Sequence, residues 1–106
     1  HAKDYVKAMY LMINHNKADD FVVATGKTRT VRQLCEYVFK KLNLDMKNHI
    51  SQSEKFMRPE ELKFLKGDAS KIKKQLGWKA DYSFENLIDE MIDFWEKNYE
   101  KNVIEY

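Results

Sequence analysis

Apolar side chains recur at spacings of three and four along three stretches of this chain, with polar loops between them. In residues 4–14, Val6, Met9, Tyr10 and Ile13 share one side, which predicts a helix with that side against a core. Thr30-Val31-Arg32-Gln33 has the form of a capping box, Thr30 as N-cap and Gln33 three residues on. The helix it opens carries a one-sided stripe of Val31, Leu34, Cys35, Val38, Phe39 and Leu42. Ser83 caps a last helix whose predicted buried face is Phe84, Leu87, Ile88, Met91, Ile92, Trp95 and Tyr99. Between these, Ser70 to Leu76 reads as a shorter helix, stopped by Gly77 at the position after its end, with Trp78 packing back as an anchor. Residues 100–106 are expected to fray.

One run breaks the helical period. Phe21-Val22-Val23-Ala24, stopped by Thr25-Gly26, is apolar on both faces and rich in β-formers, as suits a buried strand of a parallel sheet. Residues 43–57 have no clear period and predict a loop with a short strand near His49-Ile50; Leu62-Lys63-Phe64-Leu65 predicts another short extended stretch. A lone strand cannot satisfy its own backbone, so part of the sheet is expected elsewhere. The pattern as a whole predicts an α/β class, mostly helical, with one convincing strand and a few short ones.

At 106 residues the chain is a single domain at most, or a piece of a larger one. Such a length supports one core and leaves no room for a separate cofactor domain. The 19 basic and 17 acidic residues are mixed and sum to +2, so the one-signed face of a nucleic-acid binder is lacking, and no nucleic-acid partner is expected. Lys71, Lys73, Lys74 and Lys79 read as a solvated helix face. Cys35 is the sole cysteine and falls in an apolar stripe, which predicts a small buried hydrophobe in a reducing compartment. No run of 18 apolar residues and no leader pattern occur, predicting a cytoplasmic protein without a membrane partner.

The chemistry on offer is that of a binding element. Gly26, Gly67 and Gly77 lie too far apart for a phosphate loop, and His1, His15 and His49 are isolated, so neither a cofactor-binding nor a metal-binding set is expected, nor a catalytic residue. The candidate site is Phe56-Met57-Arg58-Pro59-Glu60-Glu61-Leu62, which holds the chain's one proline. Pro59 fixes its own φ and pushes Arg58 toward extended backbone, which holds the Arg58 guanidinium and the Glu61 carboxylate out from a stiff turn. An arginine fork suits a phosphate or diphosphate, and a carboxylate suits sugar hydroxyls. The same residues also fit a surface bend with a solvated ion pair.

Six segments together resemble a family. His1-Ala2-Lys3-Asp4-Tyr5-Val6-Lys7-Ala8-Met9 is similar to the "HAKDYVxAM" of GDP-mannose 4,6-dehydratases, which are extended short-chain dehydrogenase/reductases. Phe21-Val22-Val23-Ala24-Thr25-Gly26 with Thr30-Val31-Arg32 resembles their "(F/Y)VIATG…SVRE". Arg58-Pro59-Glu60-Glu61-Leu62 resembles "RPTEV", and Phe64-Leu65-Lys66-Gly67-Asp68 resembles "LLGD". Leu76-Gly77-Trp78-Lys79 resembles "LGWKP", and Ser83-Phe84-Glu85-Asn86-Leu87 resembles "SFEEL". Each motif is weak alone; six in the family's order, from residue 1 to about residue 97, are specific.

The resemblance implies the carboxy-terminal, substrate-binding lobe of such an enzyme, residues 1–106 forming one nucleotide-sugar-binding unit with one late strand of the Rossmann sheet. It implies that Arg58 meets the diphosphate of GDP and Glu61 the ribose or guanosine side. NADP, the glycine fingerprint and the Tyr-x-x-x-Lys catalytic groups belong in that family to the amino-terminal part, which has no counterpart here, so this chain alone is expected to bind no cofactor. The implied partners are GDP-mannose or a similar nucleotide sugar, and either a homo-oligomer or the absent Rossmann lobe. Residues 43–57 are shorter than the tryptophan- and glycine-bearing segment usual in the dehydratases, which looks more like related nucleotide-sugar reductases and epimerases. A freestanding helical interaction module is the reading from a different class.

Overall fold

A computed structural model describes residues 1–57 and 64–99. Among the described residues, four helices carry the fold: α1 (Ala2–Ile13), α2 (Val31–Lys41), α3 (Ser70–Leu76) and α4 (Phe84–Asn98), with short 3₁₀ turns at Met46–Asn48 and Glu54–Phe56. The caps follow the sequence. Thr30 and Gln33 form a reciprocal capping box at α2, and Ser83 forms one with Asn86 at α4. Gly77 ends α3 in the left-handed region at φ 65°, where its amide donates to the Lys73 carbonyl.

The core is small and lies between α1, α3 and the loop after it. Ala8, Ile72 and Trp78 are buried together, with Leu11, Met12, Phe21, Val23 and Leu76 packed around them. α1 therefore turns the opposite side inward from the one expected. Asp4, Ala8, Leu11 and Met12 face the core, while the predicted face is open, Val6 at 62% and Ile13 at 83% exposed. The physical reason is that α1 is apolar on two sides. Only the side with the small Ala8 allows the Ile72 and Trp78 side chains to approach closely.

The strand expectations are corrected. Residues 21–24, with Phe21, Val23 and Ala24 half-buried, form no strand; residues 64–68 pack beside them without forming a backbone ladder. Near Ile50 the chain makes a turn instead, the Ile50 amide donating to the Met46 carbonyl. Residues 64 and 65 form no strand either, and Leu62 and Lys63 lie outside the described residues.

α2 and α4 form a second, looser packing unit. The Tyr37 hydroxyl donates to Asp89 Oδ1 at 2.9 Å, and Lys41 Nζ lies 3.2 Å from Asp89 Oδ2. The two bonds, Tyr37's the stronger influence, hold the Asp89 carboxyl below its ordinary range, and Asp89 in turn raises Tyr37. Arg29 reaches Glu85 at 3.5 Å near the start of both helices. Leu34, Cys35, Val38, Phe39 and Leu42 are half-buried here, and of α4's predicted face Ile88 alone is fully buried.

The accessible surface is 9831 Å², against about 6,200 Å² expected for a self-contained folded chain of 12.7 kDa. The radius of gyration is 18.1 Å, against about 13 Å for a compact domain of this length. The folded chain thus leaves much more surface open than a freestanding domain does. The open surface includes Val6, Tyr10, Ile13, Val31, Phe64 and Leu65.

Candidate functional site

The segments picked out by sequence meet in pairs. Asp4 joins the first to the fifth. Its carboxylate accepts from the amides of Asp81 at 3.0 Å and Tyr82 at 3.2 Å, and its carbonyl accepts from the Trp78 indole at 2.9 Å. Asp4 is 4% and Trp78 3% exposed, so the clasp is buried at both of these residues. His1, which sequence leaves isolated, caps α1 by accepting the Lys3 amide on Nδ1, and its ring stacks on Tyr82 at 4.1 Å. Lys3 reaches the Tyr82 hydroxyl at 3.1 Å and Glu90 at 3.7 Å, and both hold its ammonium above the usual lysine range, Tyr82 first.

The second and sixth segments meet through Arg29 and Glu85, with the Arg29 guanidinium also 5.4 Å from the Phe84 ring centre. The second and fourth meet at Gly67. A Cβ built on Gly67 falls 2.6 Å from the Ala24 Cβ and 3.3 Å from a Val22 methyl, so a side chain has no room there. The Thr28 hydroxyl donates to the Leu65 carbonyl at 2.9 Å across the same junction. Gly26 takes φ +71°, with the Gly67 carbonyl oxygen 3.8 Å from where its Cβ would be. Asp68 then accepts from the Ser70 amide and hydroxyl at the start of α3, the hydroxyl being the larger cause of its lowered pKa.

Arg58, Pro59, Glu60 and Glu61 lie outside the described residues; the chain is described up to Met57 and again from Phe64. On the near side, the Met57 amide donates to the Glu54 carbonyl at 3.0 Å and Met57 leaves in an extended conformation, φ −72° and ψ 131°. On the far side, residues 64–68 are seated on residues 22–28 by the Gly67 and Thr28 contacts.

The Gly67 contact yields a stability test. Gly67→Ala is expected to cost about 2 kcal/mol, as overpacking at a tight contact does. Adding Ala24→Gly to that variant is expected to restore most of the loss, because it removes the clashing methyl. Urea unfolding of the four proteins of the cycle measures this, and strictly additive losses would show that Gly67 does not touch residue 24.

Other sequence candidates resolve simply. Lys71 is committed to the loop before residue 21, with Nζ 2.7 Å from Asp19 Oδ1 and 2.9 Å from the Asp20 carbonyl. Cys35 is half-buried in the α2 stripe. Among the described residues no group of His, Cys, Asp and Glu is arranged to hold a metal ion, and no helix is long and apolar enough to cross a membrane. Sequence reasoning passed over Asp4. Its signal is an acid in phase with Ala8, Leu11 and Met12, on the small-residue side of a helix apolar on both sides.

The family profile described as GDP-mannose 4,6 dehydratase matches residues 1–91. Among curated proteins, GDP-mannose 4,6 dehydratase 1 of Arabidopsis thaliana is 45% identical over 92 residues, which take in 87% of this chain and 26% of that protein. The GDP-mannose 4,6 dehydratase of Homo sapiens is 38% identical over 109 residues, 87% of this chain and 29% of that protein. That of Dictyostelium discoideum is 37% identical over 109 residues, 87% of this chain and 31% of that protein. The chain spans about a quarter to a third of the length of these relatives. The human alignment is longer than the Arabidopsis one over the same share of this chain, so the human protein carries extra residues opposite it and the Arabidopsis protein does not.

Proposed function

Since this chain belongs to the GDP-mannose 4,6-dehydratase family, we propose that it is the part of such an enzyme that grips the GDP of a nucleotide sugar. Arg58 holds the diphosphate and Glu61 hydrogen-bonds the ribose or guanosine side. The observation that supports this most is the junction at Gly67. It seats residues 64–68, which follow residues 58–62 in the chain, on residues 22–28. A bidentate guanidinium on a diphosphate gives charge-assisted bonds of about 1.5–3 kcal/mol each.

NADP supplies the redox chemistry of the family reaction, in which the sugar is oxidised at C4, loses water across C5–C6 and takes the hydride back at C6. The residues of this chain do not suit NADP: Gly26, Gly67 and Gly77 are scattered, and Gly77 closes a helix rather than opening one. We assign NADP and the proton-transfer groups to the remainder of the relatives' length. The role of this chain is to bind and orient. By the same fold relation, its residues 21–24 add to a Rossmann-type sheet of the whole enzyme, which lies in the cytoplasm.

The reductase or epimerase reading rested on the brevity of residues 43–57. The Arabidopsis dehydratase matches without a comparable gap, so a short segment is compatible with the dehydratases. The freestanding-module reading fits poorly with 9831 Å² of open surface. The natural-length protein, given GDP-mannose and NADP, is expected to release a GDP-4-keto-6-deoxy sugar, read by mass as loss of one water. A product of unchanged mass with an inverted centre, or net consumption of reduced cofactor, would point to an epimerase or a reductase.

A further inference from the structure

The fold holds the His1 imidazole on three sides. Its own helix supplies the first contact: the Lys3 amide donates to Nδ1 at 3.0 Å and so caps α1. The loop before α4 supplies the second: the Tyr82 ring stacks on the imidazole, with centres 4.1 Å and planes 14° apart. α4 supplies the third: Glu90 Oε2 lies 3.5 Å from Nε2. The His1 side chain is 15% exposed. These contacts fix where the ring carries its hydrogen. A nitrogen that accepts from an amide has no proton of its own, so the neutral ring bears its hydrogen on Nε2, toward Glu90.

We propose that His1 is a proton-operated latch, which fastens the start of α1 to the Tyr82 loop and to α4 when neutral and lets go when protonated. A proton added to Nδ1 sets two N–H groups head to head, and the cap is lost. The ring also becomes a cation at a helix N-terminus, where a cation is disfavoured. Lys3 adds to this effect. Its ammonium reaches the same two neighbours, the Tyr82 hydroxyl at 3.1 Å and Glu90 at 3.7 Å. Both, Tyr82 first, hold Lys3 in its charged form. An imidazolium at this place therefore meets a cation already seated on Glu90.

Two neighbours oppose release. The Glu90 carboxylate attracts an imidazolium, and the Tyr82 face accepts a cation. Glu90 is half exposed and shared with Lys3, so its pull is small. The other acids of the joint are engaged, Asp4 by the amides of Asp81 and Tyr82, and Asp81 by Lys7 Nζ at 2.6 Å. A lost cap shifts the local opening equilibrium about fivefold, and the helix end adds about twofold to fivefold. The ion pair and the aromatic face together return less, about fivefold. The balance is an opening about threefold more populated with the ring charged. The neutral ring is the form the fold uses, so the latch is fastened above the ordinary imidazole range of about pH 6.5 and opens as pH falls through and below it.

The test is hydrogen–deuterium exchange of the natural-length protein, read by mass on the peptide that covers the first turn of α1, at about pH 7.5 and about pH 5.5, either side of the imidazole range. His1→Asn is the reference, because asparagine caps a helix with an oxygen that does not titrate. The protection of the wild type relative to His1→Asn is expected to fall about threefold from the higher pH to the lower. His1→Phe keeps the stack and loses the cap, and is expected to be about fivefold less protected than His1→Asn at both. The proposal is overturned if the wild type and His1→Asn keep a constant ratio. It is overturned too if that ratio rises on acidification, since the Glu90 pair would then outweigh the cap, or if imidazole nitrogen shifts at the higher pH place the hydrogen on Nδ1.

Discussion

Asp4→Ala is expected to lower the stability of the protein by about 3 kcal/mol. The carboxylate is 4% exposed and takes two backbone amides, those of Asp81 and Tyr82, at 3.0 and 3.2 Å. Hydrogen bonds to a charged group are worth about 1.5–3 kcal/mol each, and each partly buried amide left without an acceptor adds a desolvation cost. Against a typical total of about 5–15 kcal/mol, this single change removes a large share. A competing account makes Asp4 only a first-turn acid that complements the helix dipole, which is worth about 0.3–1 kcal/mol. The two accounts separate by size. Asp4→Asn keeps one acceptor and is expected to lose about half as much. Urea unfolding of the natural-length protein decides, and a loss below about 1 kcal/mol for Asp4→Ala would reduce the clasp to a dipole effect.

How far the sequence foretold this structure depends on how local each signal is. The helices and their caps were legible, because a 3.6-residue period and a Thr or Ser three residues ahead of a Gln or Asn act within one turn. Gly77 and Trp78 were legible for the same reason: a left-handed stop followed by an anchor is a short-range device. The buried face of α1 was not. Val6, Met9, Tyr10 and Ile13 form as good a stripe as Ala8, Leu11 and Met12, and the choice is made by Ile72 and Trp78, far along the chain. Residues 21–24 have strand propensity, but a strand also needs a partner, which propensity does not supply. The site divides likewise. The Arg58-Pro59-Glu60-Glu61-Leu62 motif is visible in sequence by its family resemblance, and its residues lie outside the described ones. The seating of residues 64–68 beside it was not legible, since nothing about Gly67 in sequence says that its missing side chain makes room for Ala24.

Arg58 carries the other large expected effect. Arg58→Ala is expected to raise the dissociation constant for GDP about a hundredfold, which corresponds to about 2.7 kcal/mol for a lost bidentate pair. Arg58→Lys keeps the charge but not the fork and is expected to cost about tenfold. Glu61→Ala is expected to weaken GDP by about tenfold while leaving inorganic pyrophosphate unchanged, because it serves the ribose or guanosine side alone. Arg58→Ala weakens both ligands. This divergence between two ligands distinguishes a direct role from a general loosening of the turn, which would weaken GDP and pyrophosphate alike in both variants.

The most direct measurement is calorimetric titration of GDP into the natural-length protein, wild type beside Arg58→Ala, with folding of both verified by unfolding curves. Binding by the wild type and a hundredfold loss in the variant is the predicted result. Equal binding by the two proteins, or no heat from a correctly folded wild type, would contradict the assignment of this turn to GDP.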